Sequence, residues 1–184
     1  PHWAKDWYGG LGTTTFPETL FDICGIAQDN PAVQFILRPH PFLLEKFGIV
    51  ASLTDQDALT LKYLELSVLP NVTVSNASMG DDVMNADICI TDGVSIIAYA
   101  AALGIPVVIT RREGSPEFYV WGEEIAREQR VVFDTESLQL VVGELLSKSL
   151  EPLTSGKVVH QWFPLTAVSP GRAIVEWFQE SATF

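Results

Sequence analysis

The sequence predicts an α/β fold: a Rossmann-like parallel sheet with helices on both faces. Three observations predict it. Short runs such as Asp87–Ile90 and Val107–Thr110 are nearly continuously apolar rather than alternating, as strands buried on both faces are. Segments with helical spacing separate these runs, which favours parallel pairing through crossovers. Polar breaks at Arg38-Pro39-His40-Pro41 and Thr91-Asp92-Gly93-Val94-Ser95 directly follow strand-like runs, at the sheet edge where open α/β folds bind ligands.

Element by element, Pro1–Phe16 reads as a loop, with Gly9-Gly10-Leu11-Gly12 and Thr13-Thr14-Thr15 inside it. Pro17 suits a first helical turn, so Glu18–Gln28 reads as a helix. Ala32–Leu37 reads as a strand stopped by Pro39 and Pro41, which fix the backbone around His40. Phe42–Phe47 reads as a short helix. Asp55–Val68 reads as a longer one, with Leu59, Tyr63 and Leu66 on one stripe. Val72–Val74 is a strand, Gly80–Asn85 a short helix or turn, and Asp87–Ile90 a strand. Ser95–Leu103 is a helix and Val107–Thr110 a β-branched strand. Glu117–Arg127 reads as a helix, Val131–Phe133 as a strand, and Leu138–Lys148 and Ala173–Glu180 as helices. Val158–Pro164 fits either type. Glu151–Gly156 is the one linker-like stretch, and residues 1–184 form one domain.

Composition narrows the function. The chain has 184 residues, 47% apolar and 18% charged, enough for one sizeable core. Eleven basic residues stand against 23 acidic ones, a net charge of −12. Phosphate backbones need clustered Lys and Arg, so the balance argues against nucleic acid as a partner. It argues equally against electrostatic docking on an anionic membrane. No apolar run reaches the roughly 18 residues of a membrane-spanning helix. The start, Pro1-His2-Trp3, carries neither an initiator Met nor a signal peptide and reads as part of something longer. Cys24 and Cys89 sit in apolar surroundings without metal-ligand spacing and read as buried thiols.

Three stretches could carry chemistry. A helix opening near Ser95 would expose N–H groups and the positive end of its dipole, which favour an anion, phosphate above all. Gly93 would let a ligand approach the backbone, and Thr91 and Ser95 would add hydroxyl donors. The alternative is that Asp92 simply caps the helix. His40, with Arg38 beside it, would sit at a strand's carboxyl end, where a His–Arg pair can neutralise a diphosphate. Otherwise His40 is structural. Gly10, Gly12 and Thr13 would form a second phosphate-facing loop, or only a surface turn. HExxH, CxxC, GxSxG and paired-carboxylate patterns do not occur, so no metal or other cofactor is expected.

"FILRPHP" (Phe35–Pro41) followed by "ADICITDGVSIIAYAAALGIPVVI" (Ala86–Ile109) resembles the CDP-glycerol glycerophosphotransferase family, bacterial enzymes that build teichoic-acid-like wall and capsule polymers. The likeness extends to "REGSPEFYVWGEEI" (Arg112–Ile125) and covers most of the chain up to about Phe133. It implies a glycosyltransferase-B architecture, of which this chain is the C-terminal, nucleotide-binding half, the first strand of that half lying just ahead of Pro1. It implies that His40, from an R-x-H-P motif, lies beside the donor diphosphate and acts in catalysis. It also implies that Thr91, Asp92 and Ser95, from a T-D-x-S-S segment, contact phosphates. Gly93-Val94 stands where the family often has Tyr-Ser, which leaves CDP-glycerol, CDP-ribitol and a sugar nucleotide all open as donors. The implied partners are the donor, an N-terminal acceptor half of the same protein, and a polymer or lipid-linked acceptor. The implied place is the cytoplasm, with attachment to the inner face of the membrane through parts outside this chain. Two rival readings remain: a nucleotide-sugar 2-epimerase, for which Glu117 is the candidate acid–base group, and a non-enzymatic α/β binding module.

Overall fold

The computed structural model describes Thr15 and residues 18–39, 53–147 and 157–162. In order they form α1 (Glu18–Asp29), β1 (Phe35–Leu37), α2 (Leu53–Ser67), β2 (Val72–Val74), α3 (Met79–Met84), β3 (Cys89–Thr91), α4 (Val94–Ala102), β4 (Val107–Thr110), α5 (Val120–Arg127), β5 (Arg130–Val132), α6 (Thr135–Ser147) and α7 (Lys157–Trp162). The described strands are all parallel. They fall into a two-stranded sheet, β1–β2, and a three-stranded sheet, β3–β4–β5. This is the expected α/β class with helices on both faces.

The core lies around β4, whose four residues are all buried. Successive side chains of a strand point to opposite faces. Val107 and Ile109 accordingly join Ile97, Ile125 and Val159, from α4, α5 and α7. Val108 joins Ile26, Leu138 and Val142, from α1 and α6. A third cluster, Leu20, Cys24, Leu66 and Val72, packs α1 and α2 against β2. Buried Asn71 ties that cluster together. Its amide donates to the carbonyls of Ala27, Asn30 and Val33 at 3.0–3.1 Å, satisfying the end of α1, where helical carbonyls lack intrahelical partners.

Local chemistry moves several boundaries from the sequence expectation. The expected strand Ala32–Leu37 starts only at Phe35, because Val33 N–H closes a turn on Asn30 O at 3.0 Å. The helix expected from Glu117 starts at Val120, because Phe118 N–H donates instead to the Glu123 carboxylate at 2.7 Å. The helix expected from Leu138 starts at Thr135, since Asp134 accepts the Ser137 N–H at 2.7 Å and caps the first turn. The ambiguous stretch from Val158 is helical in α7. Gly104 ends α4 at φ 73°. There Gly104 N–H bonds Ala101 O and Ile105 N–H bonds Ala100 O, each at 3.0 Å, the paired bonds of a Schellman cap. The helices expected at Phe42–Phe47 and Ala173–Glu180 and the linker Glu151–Gly156 lie outside the described residues. Among the described residues, no helix is long and apolar enough to cross a membrane.

Candidate functional site at the carboxyl ends of the strands

β3 and β4 both end in threonine at their carboxyl edge, and the chain returns to that edge at Thr15. Thr15, Thr91, Asp92 and Thr110 are all buried. Asp92 Oδ2 accepts the Thr15 N–H at 3.0 Å. The hydroxyls of Thr15 and Thr110 are 2.7 Å apart, and the Thr19 hydroxyl lies 2.9 Å from both the Thr15 carbonyl and the Thr15 hydroxyl. This network pins the start of α1 to the ends of β3 and β4. A buried carboxylate is costly unless hydrogen-bonded, and here its bond spans 77 positions of sequence.

Two expectations about this edge need correction. Asp92 does not cap α4. The N-cap is Gly93, and no side chain caps it, because the Asp92 carboxylate is turned to Thr15. Thr91 is also not an outward donor. It is 4% exposed, and its hydroxyl accepts the Gly93 N–H at 3.1 Å, which shapes the turn. Ser95 is exposed in the first turn of α4. The first bonds of the helix begin at Ile96 and Ile97, both to Gly93 O at 3.1 Å, so the Val94 and Ser95 N–H groups precede the ladder. That turn holds no acidic residue. Gly93 has φ −98°, and an added Cβ would meet nothing nearer than Thr91 Oγ1 at 3.6 Å. The backbone there does not require glycine.

Arg38 follows β1 on the same side and lines the same cavity as Thr91 and Asp92. Its Nη1 is engaged, at 2.6 Å from Asp82 Oδ2 and 2.6 Å from Ala77 O. Ser75 donates to the other Asp82 oxygen at 2.7 Å. The charge expected to face a diphosphate is thus largely balanced inside the protein. Arg111, after β4, is held similarly: 3.0 Å from Glu123, 2.9 Å from Pro116 O, and stacked over Phe118 at 4.7 Å. This clamp folds the aromatic segment down before α5. Glu117, the candidate acid–base group of an epimerase, is exposed in that segment.

Arg38, Thr91 and Asp92 line one cavity, and Gly93 and Ser95 follow Asp92 at the start of α4. Gly10, Gly12, Thr13 and His40 lie outside the described residues. Sequence reasoning missed Thr19, Thr110 and Asp82. The repeated Thr at the ends of "CIT" and "VVIT" was the available signal for Thr110. Asp82 carried none, because its partner is 44 positions away. Among the described residues, no group of three or more His, Cys, Asp or Glu side chains could hold a metal. Burial pushes the Cys89 thiol up to about 11, which makes it a poor nucleophile.

Comparison adds no relative. The chain matches no family model, no curated protein and no solved structure. The functional reading therefore rests on the carboxyl-edge geometry and the motif resemblance.

Proposed function

We propose that this chain is the donor-binding half of a metal-independent transferase, one that moves glycerol phosphate, a related alditol phosphate or a sugar from a CDP- or UDP-activated donor to a cell-wall or capsule polymer. The observation that carries the reading is the start of α4. It follows β3 at the carboxyl edge, is capped by Gly93 with no side chain, and has no acid in its first turn. The resemblance of Arg38–His40 and Thr91–Ser95 to the CDP-glycerol glycerophosphotransferase motifs supports the same reading.

In this mechanism the diphosphate lies on the Val94 and Ser95 N–H groups, where the helix dipole offsets its charge. Asp92 keeps its carboxylate turned away from the phosphate and holds Thr15 in place. An acceptor hydroxyl attacks the donor, and CMP or a nucleoside diphosphate leaves, with His40 neutralising the departing charge. The acceptor and its general base belong to the N-terminal half, which works at the inner face of the cell membrane. Binding to this half alone should be weak, with Kd on the order of 0.1–1 mM.

Calorimetric titration with CDP and UDP, without metal, tests the reading. Gly93→Ala should fold normally, since its Cβ meets only ordinary contacts. It should weaken nucleotide binding by about tenfold, ~1.4 kcal/mol. Equal affinity in both proteins removes Thr91–Ser95 from the site. In the two-half protein, His40→Ala should reduce turnover by orders of magnitude while the melting temperature holds. A fall in melting temperature with activity per folded molecule retained makes His40 structural.

A further inference from the structure

α5 carries a glycine inside it, although glycine is a poor helix former. Gly122 is buried. A Cβ at this position would stand 2.8 Å from Phe118 Cβ and 2.8 Å from Val94 Cγ2. Ordinary contact begins at 3.4 Å, so the shortfall is about 0.6 Å on each side. Gly25 and Gly143, inside α1 and α6, have open space where a Cβ would go. Of these three glycines, only Gly122 is required by what it touches.

Neither neighbour is the far end of a flexible side chain. Phe118 Cβ moves only with its backbone, and Val94 is β-branched and stiff at χ1. Phe118 is also pinned. Its N–H donates to Glu123 Oε1 at 2.7 Å, and its ring lies under Arg111 at 4.7 Å. Arg111 is held in turn by the same Glu123 oxygen at 3.0 Å and by Pro116 O at 2.9 Å. α5 itself is anchored in the core by Ile125 and Ala126. Val94 is held less firmly. It opens α4 behind a Gly93 N-cap with no side-chain bond, and the helix ladder starts only at Ile96 and Ile97. Close-packed interiors transmit strain to the part that can yield. Displacement at Gly122 therefore passes into the first turn of α4.

We propose that Gly122 is a positioning residue for the donor diphosphate. Its bare Cα lets α5 set the place of Val94, and so of the Val94 and Ser95 N–H groups, while Gly122 itself touches no ligand. The role rests on the donor-binding reading of that turn. Charge-assisted hydrogen bonds hold over a narrow range of distance, so a shift of about 0.6 Å is enough to weaken them. The link runs from Arg111, after β4, through Phe118 and Gly122 to the helix that follows β3. It fixes two neighbouring strand ends against each other.

The test compares the 184-residue chain with Gly122→Ala and, as a control, Gly143→Ala. Amide NMR reads the turn, and calorimetric titration with CDP and with inorganic pyrophosphate reads its use. In Gly122→Ala the Val94, Ser95 and Ile96 amide signals should shift, and affinity for both ligands should fall by about tenfold or more. The two losses should match, because both ligands reach the turn through phosphate. Gly143→Ala should leave those signals and affinities in place. Val94→Ala removes the crowded methyl groups, so in that background Gly122→Ala should cost less than about threefold in affinity. A loss as large as in the Val94 protein overturns the proposal, and so does either an unmoved set of amide signals or an unchanged affinity in Gly122→Ala. If Gly122→Ala alone does not fold, the double variant with Val94→Ala decides. Recovery of folding with the affinity of Val94→Ala supports the proposal, and a double variant that stays unfolded overturns it. An unaltered chain that binds neither CDP nor pyrophosphate removes the donor-binding reading and this role with it. An unaltered chain that binds both, with Gly122→Ala binding equally well, overturns this role alone.

Discussion

β4 and β1 are both short parallel strands, yet they stand in opposite conditions. β4 is buried at every residue between two helical layers, while β1 leaves Ile36 42% exposed and, among the described strands, pairs with β2 alone. The β3–β4–β5 sheet has a core on both faces, built by α4, α5 and α7 on one side and α6 with α1 on the other. The β1–β2 sheet depends on α1, α2 and the single amide of Asn71. A strand's stability here comes from what covers it rather than from its own residues. "FIL" and "VVI" are equally apolar, but only the second is enclosed.

That contrast sets the largest expected effect. Ile109 is fully buried, so Ile109→Ala should cost about 2–5 kcal/mol through lost transfer energy and a residual cavity. Ile36→Ala should cost less than about 1 kcal/mol, because much of that side chain already meets water. Urea unfolding of both variants measures the difference. Similar costs would break the comparison.

Legibility did not follow the division between the halves: β3 and β5 in the fuller half lie one or two residues from their expected limits, and one strand of each half was read as it stands. Val107–Thr110 and Val72–Val74 were read with their observed limits, because continuous β-branched runs between helices have few other solutions. The Ala32–Leu37 reading overran, because Asn30 and Val33 close a turn that depends on Asn71, far along the chain. The site was half legible for a related reason. Thr91–Ser95 could be placed at a helix start from spacing alone. The actual partner of Asp92 could not, because that bond needs α1 folded back over the sheet. A capping reading treats Asp92 as local, and the fold made it long-range.

Asp92 is also where the two halves are fastened, and the next effect tests that. Asp92→Ala leaves the Thr15 N–H without its acceptor in a buried position, which should cost about 1–3 kcal/mol. Asp92→Asn keeps an oxygen for Thr15 and should cost less. Beyond the stability measurement, hydrogen exchange in α1 should speed up in the Ala variant more than exchange in β4 does. If both speed up equally, the bond supports the whole fold rather than joining one half to the other. If neither changes, the Thr15–Thr110 hydroxyl pair alone suffices to hold α1.

The smallest expected effect lies on the surface of the fuller half. Asp134 accepts the Ser137 N–H at 2.7 Å and the Ser137 hydroxyl at 3.0 Å, and α6 is tied to α1 by Thr135 donating to Asp22 at 2.8 Å. The backbone bond from Ser137, then its hydroxyl, hold the Asp134 carboxyl below its usual value of 3.8. A carboxyl whose folded pKa is depressed stabilises the fold fully above its unfolded pKa and loses that contribution as pH falls through the folded value. Asp134→Ala should therefore lower the melting temperature slightly at neutral pH. The gap to the wild type should stay flat from about pH 7 to about pH 5 and close below about pH 4. Melting curves of the two proteins across that range check it. A gap that widens in acid would mean that the charged form is not what caps α6. A gap that never closes would mean that the variant disturbs the α1–α6 contact instead, in which case the surface of the fuller half, like its core, is fastened through α1.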